Sequence, residues 1–216
     1  MRKYLLIGFL FSAGFGFAQS EYADLLVKVA MAKLKAVPAY ECDILVDLDV
    51  KFINIEQRKG KVYFAPPDSI RYKVKGFAFL PKKGYNNHAF SVTEQEYVAL
   101  HLGQETVAGF PCEIVKVIPN DIESDVLLGQ FWIDKKCRIR KMAIVTKDEG
   151  KFNILLDYAN SQHPVPSKVT ISFEVKEAGL PGNLSGDLEA EEVDPEELKK
   201  PQKGSITITY SNYLFK

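Results

Sequence analysis

Reactive and ligating residues are scarce in this chain of 216 residues, which carries three cysteines, three histidines and one tryptophan. Cys42, Cys112 and Cys137 match no metal-ligand spacing, and an odd number leaves at least one thiol unpaired. A chain this long needs no covalent staples, so all three read as small apolar residues, with Cys112 and Cys137 the favoured pair if a single bridge forms. His88, His101 and His163 stand apart, with no second ligand at metal spacing, and read as surface or turn residues. The sequence has no Gly-x-Ser-x-Gly elbow, no His-Glu-x-x-His helix and no phosphate-binding loop, so no metal or cofactor is expected and the chain is not read as an enzyme. An excess of one charge is lacking too: 28 basic residues face 28 acidic ones. Nucleic acid is therefore disfavoured as a partner, because phosphate binding draws on a concentrated surplus of Lys and Arg.

What the chain does have begins at its N-terminus. Arg2 and Lys3 precede an apolar run from Tyr4 to Phe17, and Gly16 and Ala18 place small residues where a signal peptidase reads. The run is shorter than the roughly 20 residues of a spanning helix. The expectation is a signal peptide over residues 1–18, cut after Ala18, and a single domain over 19–216. No cysteine follows the run to be acylated, and no later stretch approaches ~18 apolar residues, so the exported, periplasmic product is expected to be soluble.

Beyond the cut, Ser20 can cap a helix over Glu21–Ala36, with Leu25, Leu26 and Val29 on an apolar stripe and Pro38 as its stop. The period then changes to two. Cys42, Ile44, Val46, Leu48, Val50 and Phe52 alternate with mostly charged neighbours, as do Val62 and Phe64, and then Ile70, Tyr72 and Val74. These three strands read as a meander, and the acids Asp47 and Asp49 fall on its wet face. Further strands are read at Phe90–Val92, Tyr97–Leu102, Cys112–Ile118, Gln130–Asp134, Cys137–Thr146, Lys151–Tyr158, Ser167–Lys176 and Ser205–Tyr213. A hairpin turn is expected at Lys147–Gly150 and a second short helix within Asp121–Leu128. Residues 178–203, rich in Gly, Pro, Asp and Glu, read as a long acidic loop insertion, either a solvated excursion or a docking surface.

About ten strands at ~4.8 Å spacing make a sheet on the order of 45 Å wide, whereas one helix is about 10–12 Å across. One helix does not cover such a face. The sheet must curl around the helix, close as a barrel or fold into a sandwich, and the first two leave room for a lined hollow. A filled core and a ligand cavity are both compatible with the periodicity. If hollow, the cavity is expected to be lined by Ile44, Val46, Leu48, Val50, Phe52, Val62, Phe64, Ile70, Tyr72, Val74 and Trp132, with Leu25, Leu26 and Val29 from the helix.

Several local patterns, taken in order, resemble the LolA/LolB-like superfamily of bacterial envelope proteins. They are the export signal and first helix; Gly60 to Phe64 leading to Pro66, Pro67, Ile70, Arg71 and Tyr72; Glu105 to Cys112 before a strand; and Phe131, Trp132, Ile133 and Asp134 before a hairpin ending at Gly150. The resemblance implies a mainly β, α+β fold: a strongly curved antiparallel half-barrel around an N-terminal helix, with a hydrophobic cavity. It further implies a periplasmic carrier or sensor of lipid or lipoprotein acyl chains, transient membrane contact, and delivery to an outer-membrane acceptor protein in lipoprotein sorting. The chain departs from the carrier branch at Pro66, where that branch places an arginine, and in its acidic insertion. Two rival readings are an envelope protein-protein interaction module and an enzyme with its active site in the cavity.

Overall fold

The computed structural model describes residues 5–50, 56–66, 69–74, 80–81, 91–148, 150–159, 165–175, 184–185 and 202–216. Helix α1 (Leu5–Lys35) is followed by β1 (Tyr40–Val50), β2 (Arg58–Ala65), β3 (Ser69–Val74) and the short β4 (Leu80–Pro81). Then come β5 (Tyr97–Val107), β6 (Phe110–Pro119), β7 (Val126–Asp134), β8 (Ile139–Thr146), β9 (Lys151–Asp157), β10 (Lys168–Val175), the short β11 (Leu184–Ser185) and β12 (Gln202–Phe215). Ten strands form one antiparallel, curved open sheet in the order β3-β2-β1-β12-β10-β9-β8-β7-β6-β5, while β4 and β11 pair separately. The last strand thus lies between β1 and β10.

The period-two pattern decides the two faces. On β1 the inner residues Cys42, Ile44, Val46 and Leu48 are buried, while Asp47 and Asp49 are exposed. The same inner face continues through Ile206 and Ile208, Val169 and Ile171, Ile154, Ile144, Phe131 and Val115 in a single core cluster. Burial of these β-branched and aromatic side chains supplies the main driving force, at roughly 25 cal/mol per Å² of apolar surface.

α1 runs unbroken across Ala18, the expected cut. Ala36 N still bonds Ala32 O, and Pro38, which lacks an N–H, lies just beyond. The face it turns to the sheet is Ala23, Val27, Ala30, Met31 and Leu34, rotated from the expected stripe. Ala23 and Ala30 have little bulk, so the helix backbone approaches β5 closely and the larger Leu25 and Val29 are left on the far side. No described helix is long and apolar enough to cross a membrane.

Three expectations are corrected. Residues 91–93 are helical rather than a strand, and Phe90 lies outside the described residues. The stretch expected to hold a second helix is instead a turn followed by β7: Asp121 Oδ1 accepts the Glu123 amide at 2.9 Å, an Asx turn that competes with helix. All three cysteines are free, because Cys112 faces the outer side with Val107 and Trp132 whereas Cys137 packs against the inner core. The acidic stretch falls outside the described residues except at 184–185 and 202–203, as do Phe52, His88 and His163.

The β7–β8 hairpin is locked by a buried charge cluster. Asp134 Oδ1 accepts the Lys136 and Arg138 amides at 2.9 and 3.0 Å. Its Oδ2 accepts Arg138 Nε and Nη2 and Arg140 Nε at 2.9–3.0 Å. Burial works to raise the Asp134 pKa, but the Arg138 amide and the two guanidinium groups outweigh it and hold the carboxyl below its ordinary range.

Two stability predictions follow from this geometry. A carboxyl depressed on folding stabilises the native state fully above its unfolded pKa of about 3.9, and that contribution is lost as pH falls through the lower folded value. Asp134→Asn should therefore flatten the acid limb of a stability-versus-pH curve below about pH 4, and Asp134→Ala should cost roughly 3–5 kcal/mol in urea unfolding because two arginines lose their counter-charge. At Gly60 an added Cβ would lie 2.6 Å from Lys73 O and 2.5 Å from Val74 Cγ2. Gly60→Ala should then destabilise by roughly 1–3 kcal/mol through displacement of β3, as denaturant titration would show.

Candidate functional site

The inner wall is the broadest apolar surface of the described residues, and α1 covers it unevenly. The helix packs against β5 and β6. Polar contacts fix it there: Tyr97 Oη donates to Asp24 Oδ1 at 2.9 Å, and Asp24 also pairs with Lys28 at 2.7 Å. The Tyr22 ring meets His101 edge-on at 5.4 Å, and His101 Nε2 lies 2.6 Å from Glu113 Oε2. His101 is thus a half-buried strand residue tied to the helix seat rather than a turn residue.

At the opposite end of the sheet the apolar wall continues without that cover. Val62 is buried, while Phe64, Ile70, Tyr72 and Val74 are only half-buried against the core. Aromatic rings line the floor beside them. Tyr40 stacks on Phe64 at 5.1 Å, and Tyr213, edge-on to Tyr40 at 5.2 Å, donates its hydroxyl to Pro166 O at 2.7 Å. The Tyr72 hydroxyl is buried without a hydrogen-bond partner. Burial, followed by the charges of Asp43 and Glu41, pushes the Cys42 thiol up to about 12. Burial likewise raises the Tyr40 and Tyr72 hydroxyls above their usual range. These groups stay neutral at physiological pH, so the thiol is not a nucleophile. This part of the wall does carry the charge of Arg58, opposite Val46 in the register, whose Nε is buried and whose Nη1 pairs with Glu56 at 3.4 Å.

The expected lining residues separate into four groups. Ile44, Val46, Leu48 and Val62 are brought together on the inner wall with Phe64, Ile70, Tyr72 and Val74, and Leu26 packs against the same cluster. Leu25 and Val29 stand 59% and 36% exposed on the far side of the helix. Trp132 lies on the outer face, in a small cluster with Val107, Cys112, Ile114 and Ala143, where its Nε1 donates to Glu105 Oε2 at 2.6 Å and Lys141 Nζ sits 4.0 Å from the ring. The side chain of Val50, and Phe52 entirely, fall outside the described residues.

Tyr40, Tyr210 and Tyr213 were not anticipated as lining; their signal is the aromatic content of β12 and of the residue just before the β1 alternation. The outer face carries a shallow cleft of about 330 Å³ between Glu105–Val107 and the strands bearing Lys141, Asn153, Leu155, Thr170 and Ser172. Outward-facing Val98, Leu100 and Leu102 of β5, with Ile118 of β6, form an exposed apolar row at the sheet edge. Among the described residues no three His, Cys, Asp or Glu side chains gather as a metal site requires.

No family model matches the chain, and no curated protein matches it. Solved structures do. A LolA superfamily protein from Nitrosomonas europaea is 8% identical, with 90% of this chain and 93% of that one covered at a TM-score of 0.51. A putative outer membrane lipoprotein-sorting protein domain from Vibrio parahaemolyticus is 12% identical over 91% and 93% of the two chains, also at 0.51. A DUF1329 family protein from Desulfovibrio piger is 13% identical over 89% and 92%, at 0.50. At such identities the likeness concerns the fold, and it extends over nearly the whole of each chain: this protein has a LolA-like fold.

Proposed function

We propose that the chain is an exported, periplasmic carrier or sensor that takes up a lipid or the acyl groups of a lipoprotein against its inner wall. The observation that carries this reading is the uneven cover of that wall. α1 packs on β5 and β6, while Phe64, Ile70, Tyr72 and Val74 remain half-buried on an apolar surface at the other end. At about 0.8 kcal/mol per buried methylene, one long acyl chain laid on such a wall gains ample free energy. The likeness to a putative outer membrane lipoprotein-sorting domain fits this chemistry, and delivery to an outer-membrane acceptor is the step such a carrier would require. The polar groups described on this part of the wall are tyrosine hydroxyls, a thiol held neutral by burial and the Arg58 guanidinium.

The row of Val98, Leu100, Leu102 and Ile118 on the outer face favours a second reading, recognition of another envelope protein, since contiguous exposed apolar residues mark interaction surfaces. The two readings use opposite faces of the sheet and are separable by mutation.

Displacement of a fluorescent fatty acid tests the first. Ile70→Glu, which sets a charge on the half-buried inner wall, should weaken fatty-acid binding roughly tenfold or more, since a carboxylate there must be desolvated. Leu100→Lys should leave it unchanged. Protein that is folded by circular dichroism yet releases no lipid into organic extracts and ignores the probe would overturn the carrier reading. Under the second reading Leu100→Lys abolishes recovery of a defined envelope partner and Ile70→Glu does not.

A further inference from the structure

Arg140 is 1% exposed, and its hydrogen bonding is incomplete. Its Nε donates to Asp134 Oδ2 at 3.0 Å, Nη1 is buried with no partner, and Nη2 makes no hydrogen bond among the described residues. Asp134 cannot satisfy the remainder, because both its oxygens already receive the Lys136 and Arg138 amides and the Arg138 guanidinium. Asp134 thus has no free lone pair left for the Nη edge of Arg140. Aromatic rings compensate in part: the centroid of Phe110 lies 3.7 Å from Arg140 Cζ and that of Tyr158 lies 5.0 Å away. Rings engage the faces of a guanidinium, whereas its Nη edge is the fork that binds a carboxylate or phosphate with two parallel hydrogen bonds. A buried charged donor left without an acceptor calls for an explanation, and an anion would supply that acceptor.

The position of the fork gives it a route to ligand. Tyr158 belongs to the inner core cluster that also holds the wall assigned to acyl chains, so Arg140, on β8, lies beside that core. Its cover, Phe110, is 40% exposed and follows a two-residue turn in which Ala108 and Gly109 both have positive φ. That hairpin tip can move without opening the core.

We propose that the Nη edge of Arg140 is an oxyanion site, uncovered by displacement of Phe110, that takes the carboxylate or phosphate of an acyl-bearing ligand. The identity of the ligand rests on the acyl-carrier reading; the oxyanion site itself does not. Titration calorimetry on the full chain with palmitate, methyl palmitate and inorganic phosphate tests both. Wild-type protein should bind palmitate about tenfold or more tighter than its methyl ester, the range of a charge-assisted hydrogen bond. Arg140→Lys keeps the charge beside Asp134 but removes the fork, and should erase that preference while leaving methyl palmitate affinity unchanged. Phe110→Ala, at an exposed turn, should speed palmitate association several-fold, and it carries the test if the Arg140 variant fails to fold. Phosphate binding to Phe110→Ala without lipid binding would support the oxyanion site, with free phosphate as its source, and sink the acyl reading. Equal affinities for palmitate and its ester in wild type and Phe110→Ala, with no phosphate bound, would overturn the site and leave the acyl reading standing. Binding of none of the three probes would overturn both.

Discussion

Apolar area sets the terms for this molecule. Ten strands carry inward-facing Ile, Val, Phe, Met and Tyr across the width of one sheet, and among the described residues one long helix meets them. Water is kept from most of that surface only because the sheet curves and the helix lies close to one end of it. The small residues Ala23 and Ala30 make that closeness feasible, and the Asp24–Tyr97 bond fixes the seat. Where the helix does not reach, the apolar wall is only half-buried among the described residues. Curvature and helix placement are thus one problem with one solution.

The outer face obeys a different logic. On β1 it is acidic and on β3 basic, as a wetted sheet should be, and the cations Arg71 and Lys73 guard the exposed edge against pairing with other chains. At the other edge β5 presents Val98, Leu100 and Leu102 outward, so the two margins of one sheet differ in chemistry. Trp132 belongs to this outer side, held by Glu105 and covered by Lys141, and its role there is packing.

Much of the architecture is legible in the sequence because a period of two is unambiguous when one face is wet. The alternation Ile44, Val46, Leu48 against Asp43, Asp47, Asp49 assigns the faces of β1 directly, and the same holds for Ile206 and Ile208. Helix rotation was less legible: Leu25 and Val29 have the apolar character of an inward stripe, but close packing favours the small side, and only the tertiary partner decides between them. Phe131, Trp132 and Ile133 are apolar in succession, so period alone does not assign Trp132 a face; its burial on the outer side with Cys112 depends on the Glu105–Val107 hairpin end, a non-local contact. The Asp134, Arg138 and Arg140 cluster is compact in sequence, yet its closure depends on the turn bringing Asp134 back over the start of β8. Phe64, Ile70, Tyr72 and Val74, read from alternation, do form one continuous wall with β1.

The place of β12 has a consequence for how the molecule comes into being. Residues 202–215 follow every other described strand of the sheet in sequence, yet they occupy its middle, hydrogen-bonded to β1 on one side and β10 on the other. Until they emerge, β3-β2-β1 and β10 through β5 are two separate sheets with bare inner edges, and no partial product can close the wall. Joining the first strand to the last also demands contacts at nearly the greatest separation the chain allows, which slows the final step. A nascent chain of this design stays open until β12 has docked between the two halves.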